Sequence, residues 1–255
     1  MKQFLSEIIS NNKINENFFE LSFGKPAGPF DPFPGQFLTV RIPESNRPLL
    51  RRPFAFSNAN DRTCSIIYQV RGDATKALSS MKPGNLIDIL GPIGKSFTIP
   101  AGKRKAILAA GGIGLGPILF LSSYLNEKGF GSTLIFGCKN EKYVPECDSF
   151  KKENPVICTD DGSRGFKGTI RDYIETIKDV IDEFTVLYCC GPHPMLKSCQ
   201  MFASERKIPC QVSVEQIMAC GVGACMGCVV KVKGGTGYAR ACKDGPVFDS
   251  EELVW

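Results

Sequence analysis

The stretch Ala106-Ile107-Leu108-Ala109-Ala110-Gly111-Gly112-Ile113-Gly114-Leu115-Gly116-Pro117 separates two kinds of pattern in the chain. From Ala106 to Leu125 the residues are mostly apolar and uncharged, which suggests a membrane span. Four glycines and Pro117 interrupt its middle, so the reading is instead a buried strand, a glycine turn and a helix. Upstream, short β-branched or aromatic runs alternate with turn residues: Phe37–Ile42, Cys64–Val70 and Leu86–Leu90. Regular short strands of that kind predict a small antiparallel barrel. Downstream, strand candidates at 105–109, 133–136, 155–158 and 185–189 alternate with helical stretches at 118–128, 169–180 and 195–206. That alternation predicts a parallel sheet with crossover helices. The residues from about Pro209 onward are Gly- and Cys-rich and match neither half. The expected fold is therefore a β-barrel over 1–100, an α/β domain over 101–208 and a small domain over 209–255, with Thr98–Lys103 as a linker.

The 255 residues, 43% hydrophobic and 22% charged, are ordinary for globular domains and long enough to bury a core without disulfides. A net charge of +5, with no basic block and no aromatic–basic interleaving, gives no sign of a nucleic-acid partner. Nothing near Met1-Lys2-Gln3-Phe4 reads as a secretory signal, so the expected compartment is the reducing cytoplasm. There, clustered cysteines bind metal and scattered ones pack as small apolar groups.

Four of the twelve cysteines are clustered. Cys220-Gly221-Val222-Gly223-Ala224-Cys225-Met226-Gly227-Cys228, with Cys242 beyond, has the spacing C-x4-C-x2-C-x13-C. Three thiolates on one tight loop plus a distant fourth is the plant-type [2Fe–2S] spacing. The glycines let the backbone wrap closely and bring amide N–H groups towards sulfur. Zinc also uses C-x2-C; the x4 gap and the glycines favour the cluster. The other eight cysteines show no ligand spacing.

Two glycine turns point to a dinucleotide site; the first alone could equally be a structural turn, and its strand–turn–helix context favours the functional reading. Gly111-Gly112-Ile113-Gly114 joins a strand to a helix, where a pyrophosphate can approach the backbone and the positive helix end, although Pro117 stands where a third glycine is usual. Cys189-Cys190-Gly191-Pro192-His193-Pro194-Met195 makes a second sharp turn at a strand end, with Pro194 suited to start a helix. His193, the only histidine, reads as structural, because hydride transfer needs no base. Asp160 and Asp161 would repel a 2′-phosphate and so favour NADH. In the barrel half, Leu50–Ser57 pairs arginines with aromatics, and Gly72-Asp73-Ala74-Thr75-Lys76 places a hydroxyl at a helix start. On spacing alone each is equally an ordinary strand or turn.

The order R-x-F-x, G-x-x-T, G-G-x-G-x-x-P and C-G-P-x-P-M resembles the ferredoxin–NADP reductase superfamily. The block Glu215–Cys228 with Ala241–Phe248 narrows this to a resemblance to the electron-transfer subunits of NAD-linked, two-subunit dihydroorotate dehydrogenases. The resemblance covers essentially the whole chain. It implies FAD, a [2Fe–2S] cluster and NAD as cofactors. FAD would be held in the motif Arg52-Pro53-Phe54-Ala55, with Arg52 on the pyrophosphate and Phe54 near the flavin. Tyr68 and Gln69 would line the flavin site, and Ala74 and Thr75 would contact FAD phosphate or ribityl groups. Gly111, Gly112 and Gly114 would face the dinucleotide, with Cys190 beside the nicotinamide ring as the catalytic candidate. Cys220, Cys225, Cys228 and Cys242 would ligate the cluster. Ala55 and Ala74 stand where the family usually has a hydroxyl residue and a glycine. The implied partner is an FMN-containing subunit that oxidises dihydroorotate to orotate in pyrimidine (UMP) biosynthesis, in a heterotetramer of two of each subunit. Electrons would pass from it through cluster and FAD to NAD⁺. A related reductase subunit, serving ferredoxin or a hydrogenase, shares the same motifs and is the alternative. A zinc-holding regulator on a nucleotide-sensing fold is a further one, distinguished by the colour and metal of the protein.

Overall fold

The computed structural model describes residues 1–42 and 49–255. The barrel half is built from β1 (Lys2–Lys13), β2 (Phe18–Gly24), β3 (Phe37–Arg41), β4 (Arg52–Ala59), β5 (Thr63–Gln69), α1 (Asp73–Ser80) and β6 (Leu86–Ile93). The six strands close in the order β1-β2-β5-β4-β3-β6, every pairing antiparallel. Alternation explains the closure. Ile8, Leu21, Phe23, Leu38, Val40, Phe56, Ile66, Tyr68, Ile87 and Ile89 face inward and form one buried cluster.

The α/β half follows with β7 (Lys105–Gly111), α2 (Leu115–Glu127), β8 (Gly131–Cys138), α3 (Asp148–Lys152), β9 (Val156–Thr159), β10 (Phe166–Lys167), α4 (Ile170–Thr176), β11 (Thr185–Cys190), α5 (His193–Arg206) and β12 (Cys210–Ser213). After the cysteine loop come β13 (Val229–Lys231), β14 (Tyr238–Arg240) and β15 (Val247–Asp249). The sheet order is β10-β9-β8-β7-β11-β12-β15, parallel except for β15. The boundary expected at 208 thus falls inside this sheet. β12 pairs with β11 and β15 returns to pair with β12, so the cysteine-bearing residues 214–246 are an excursion from one edge of the sheet.

Helix α2 is apolar on nearly all sides because it is covered on both. It packs on β7 and β8, and it also meets the barrel through Ile14, Phe18, Ile67 and its own Phe120. The expected linker is likewise held. The Gln211 side chain accepts from the Thr98 N–H at 2.9 Å and donates to the Thr98 carbonyl at 2.9 Å, and the Tyr188 hydroxyl donates to the same carbonyl at 2.8 Å. Among the described residues no helix is long and apolar enough to cross a membrane.

Candidate functional site

Helices α2 and α5 leave the sheet on opposite faces: α2 packs in the cluster that contains Leu108 and Phe136, whereas α5 packs in the one that contains Ile107 and Leu187. The strands that feed them, β7 and β11, are neighbours. Their carboxyl ends therefore form a topological switch point, the place where open α/β sheets bind ligands. Gly111 ends β7 there and Cys190 ends β11. The two glycine turns, nearly eighty positions apart in sequence, meet at this point. A Cβ on Gly114 would lie 2.1 Å from the Cys190 carbonyl oxygen, so only hydrogen fits. Gly112, at φ +53, faces open space. Of the three glycines expected to face a dinucleotide, Gly112 alone has its α-carbon open. Gly111 is closed off by Met195 and Pro192, and Gly114 by Cys190. Their smallness serves the contact between the two turns.

Cys190 carries its thiol into the same corner. Burial pushes the thiol up to about 12, partly offset by a hydrogen bond with Ser213 and reinforced by the charge of Glu215. It is a neutral thiol at working pH, suited to packing against a ring and not to nucleophilic attack. His193 opens α5 and lies 5.3 Å, ring to ring, from Trp255. Asp160 and Asp161 are exposed beyond β9, where Asp161 accepts from the Ser163 N–H at 2.9 Å.

In the barrel, the two-residue period of β4 splits the motif. Arg52 and Phe54 line a shallow groove together with Val40, Ala74 and Leu78. The Arg52 guanidinium donates only to backbone carbonyls, to Leu50 at 2.7 Å and Arg51 at 3.5 Å, and has no carboxylate partner among the described residues. A guanidinium beside an aromatic ring and the first turn of α1 suits a pyrophosphate. Thr75 ties that turn by accepting from the N–H groups of Arg71 (2.9 Å) and Gly72 (3.1 Å). Gln69 sits at the end of β5 and accepts from Arg71 Nε. Tyr68 departs from expectation. Its side chain is 0% exposed inside the barrel, edge-on to Phe54 at 5.7 Å, with its hydroxyl donating to Asn11 Oδ1 at 2.9 Å. The alternation that makes Ile66 a core residue does the same to Tyr68, whose ring points into the barrel behind Phe54.

Ala55 lies on the other face of β4, and there the barrel meets the cysteine loop. Phe37 and Ile93 are buried in one cluster with Cys228, Ala241 and Cys242, and Ala55, Leu90 and Met218 pack against it. The four cysteines come together as two pairs. Cys228 Sγ and Cys242 Sγ are 3.2 Å apart and buried. Cys220 and Cys225 form the outer pair, linked through their side chains and more exposed. A pair of thiolates for each of two irons suits a [2Fe–2S] core. Backbone amides feed the sulfurs. Cys220 Sγ accepts from Val222 and Cys225 N–H at 3.4 Å each, Cys225 Sγ from Gly227 at 3.4 Å and Cys228 Sγ from Cys242 at 3.5 Å. Those amides bring Cys220 down to about 6. Left-handed backbone at Gly221, Gly223 and Met226 aims them inward. Arg240 braces the loop, donating to the Gly223 carbonyl at 3.1 Å while paired with Asp244 at 2.9 Å.

Comparison with known proteins agrees with this layout. Residues 6–97 match the oxidoreductase FAD-binding domain, and residues 215–254 match the iron–sulfur cluster binding domain of dihydroorotate dehydrogenase B. A relative from Caldanaerobacter subterraneus subsp. tengcongensis, the electron transfer subunit of dihydroorotate dehydrogenase B (NAD(+)), is 38% identical over 98% of both chains. The protein of the same name from Bacillus caldolyticus is 38% identical over 97% of this chain and 96% of its own. The chain belongs to the family of dihydroorotate dehydrogenase B electron-transfer subunits. It is accordingly an electron-transferring oxidoreductase component with an FAD-binding barrel and an iron–sulfur domain, and membership implies a catalytic partner subunit. Among solved structures, that of NADH-dependent reduced ferredoxin-NADP oxidoreductase is 30% identical, with a TM-score of 0.85 over 99% of this chain and 90% of that one. Phthalate dioxygenase reductase shares the fold at 18% identity, with a TM-score of 0.66 over 91% of this chain and 87% of that one.

Sequence reasoning missed Thr39, Phe37 and Ile93, which form the barrel's side of the cysteine seam. Only the alternation of β3 and β6 marks them, and it does not say what covers the outward face. It also passed over Arg240 and Asp244.

Proposed function

We propose that this chain relays electrons between a nicotinamide dinucleotide at the β7–β11 switch point and a [2Fe–2S] cluster held by Cys220, Cys225, Cys228 and Cys242, through FAD bound at the Arg52 groove. The observation that carries this reading is the seam at Ala55. One strand, β4, offers its Arg52–Phe54 face to the FAD groove and its Ala55 face to the cysteine pairs. FAD, when bound, supplies the exchange between hydride and single electrons that neither of the other groups makes alone. The protein's part is placement. Arg52 and the first turn of α1 hold the pyrophosphate, Cys190 packs on the nicotinamide, and Gly112 leaves room for the dinucleotide backbone. NADH is favoured over NADPH by the acidic pair Asp160 and Asp161. The functional units are the barrel over 1–100, the α/β sheet with β12 and β15, and the cysteine excursion between those two strands.

The partner in this reading contains FMN and oxidises dihydroorotate to orotate, and two copies of each subunit assemble. Electrons run from it to NAD⁺ in the cytoplasm. Ile217, 88% exposed, with Val222 and Met226 and the exposed Cys225, forms an apolar rim around the cysteine loop that suits its docking. The 30% identical ferredoxin-NADP oxidoreductase structure favours a second reading, in which the same relay serves ferredoxin. The deciding experiment is anaerobic purification with flavin, iron and sulfide analysis, then NAD⁺ reduction by dihydroorotate with and without an FMN barrel subunit. Colourless protein would sink both readings. Coloured protein with ferredoxin-linked but no orotate-linked turnover would select the second.

A further inference from the structure

We propose that Thr39 is a positioning residue for the iron–sulfur site, its hydroxyl donating to a sulfur of the bound cluster; this rests on the cluster reading above. In β3, Leu38 and Val40 point into the barrel core, and Phe37 and Thr39 point outward. The outward face lies under the cysteine loop. Phe37 belongs to the buried cluster of Cys228 and Cys242, the inner pair. Thr39, two residues on, lies against the outer pair's turn, its Cγ2 3.1 Å from where a Cβ on Gly221 would stand. Thr39 is 2% exposed, yet its Oγ1 finds no hydrogen-bond partner among the described residues, the four cysteine sulfurs included. Its cross-strand neighbours, Pro53 on β4 and Leu90 on β6, have no polar side-chain atoms.

A buried hydroxyl without a partner is destabilising, and valine would fill the same shape without that cost. An oxygen left unmet beneath a loop whose amides already serve the cysteine sulfurs fits an acceptor that is not protein. Between Gly221 and the inner pair, that acceptor is a cluster sulfur. Hydrogen bonds to sulfur favour the reduced, more negative cluster and so raise its potential.

The test is a redox titration of the intact, cofactor-replete protein, with the cluster followed by electron paramagnetic resonance and the flavin by absorbance. Thr39→Val is expected to lower the cluster midpoint by roughly 59 mV, a tenfold change in the reduced-to-oxidised ratio at fixed potential. The flavin midpoint should stay put. Thr39→Ser, which keeps the hydroxyl and loses the methyl, should restore the wild-type cluster value. An unchanged midpoint in Thr39→Val, an equal fall in Thr39→Ser, or a shift confined to the flavin would each overturn the proposal while leaving the relay intact. Iron-free protein would overturn the cluster reading and this proposal together.

Discussion

The Cys190 carbonyl oxygen occupies the space that a side chain on Gly114 would need, only 2.1 Å from the position of its Cβ. Two turns from distant parts of the sequence are locked backbone to backbone at the sheet's switch point. Gly114→Ala should therefore push β11 and α2 apart. Overpacking of this kind costs about 3 kcal/mol. Thermal unfolding should register the loss, and stopped-flow reduction of the flavin by NADH should slow along with it.

Tyr68 is buried inside the barrel and its hydroxyl is taken up by Asn11. Tyr68→Phe removes the bond to Asn11 and should cost about 1 kcal/mol of stability in denaturant titration. FAD affinity and the flavin spectrum should not change. A flavin shift would mean that the ring reaches the site after all.

Cysteine replacement should sort the twelve thiols into two groups. Serine at Cys220, Cys225, Cys228 or Cys242 should each abolish the paramagnetic signal of the reduced cluster and deplete iron. Serine at Cys199 or Cys210, which contact Cys189 in a buried thiol group remote from the loop, should leave the iron content intact.

Arg52→Ala should weaken FAD binding by about 1.5–3 kcal/mol, roughly ten- to a hundredfold, because a charge-assisted contact to phosphate is lost. Flavin retention on gel filtration reads this directly. Arg52→Lys should recover part of the affinity, since a point charge replaces the planar fork.

Alkaline pH should destabilise the fold in a defined window. Burial raises the thiols of Cys64, Cys158 and Cys190 from about 9 to about 12 in the folded chain. Above pH 9 the unfolded chain ionises these groups and the native one does not, so stability falls as pH rises from about 9 towards 12. Each thiol contributes up to about 1.4 kcal/mol per pH unit. Cys190→Ala should remove one proton from that slope. Below pH 8 it should have no pH-dependent effect, although loss of packing on the nicotinamide should slow flavin reduction.

Much of this was legible in the residues. The apolar run ending in Gly111-Gly112, broken by glycines and Pro117, reads as a strand entering a turn and not as a membrane span, and it located the α/β half together with α2. The cysteine spacing picked out the four thiols that the structure gathers as two pairs, because sulfurs on two short segments have few ways to meet. Other features were silent for physical reasons. β1 carries Lys2, Gln3, Glu7 and three asparagine or lysine residues at its end, so its inward positions are diluted by polar neighbours. β4 was visible as a motif but not as a strand with two working faces, and the inward direction of Tyr68 on β5 was likewise not read from the alternation of its own strand. The role of Gly114 depends on a carbonyl from another turn, which no local pattern encodes. Thr39 is an ordinary strand threonine until the cysteine loop is laid over it.

β12 enters the sheet, the chain departs to build the cysteine pairs, and β15 comes back to hydrogen-bond beside the strand it left. The iron–sulfur carrier is thus clamped at both ends and pressed against the barrel, not hung on a hinge. It cannot act as a swinging arm that collects charge at one station and delivers it at another. With FAD in the barrel groove and iron on the cysteine pairs, the route between them would be a fixed gap, so throughput should depend on driving force and distance, and lengthening the segments that flank the excursion should slow transfer without any change in either cofactor.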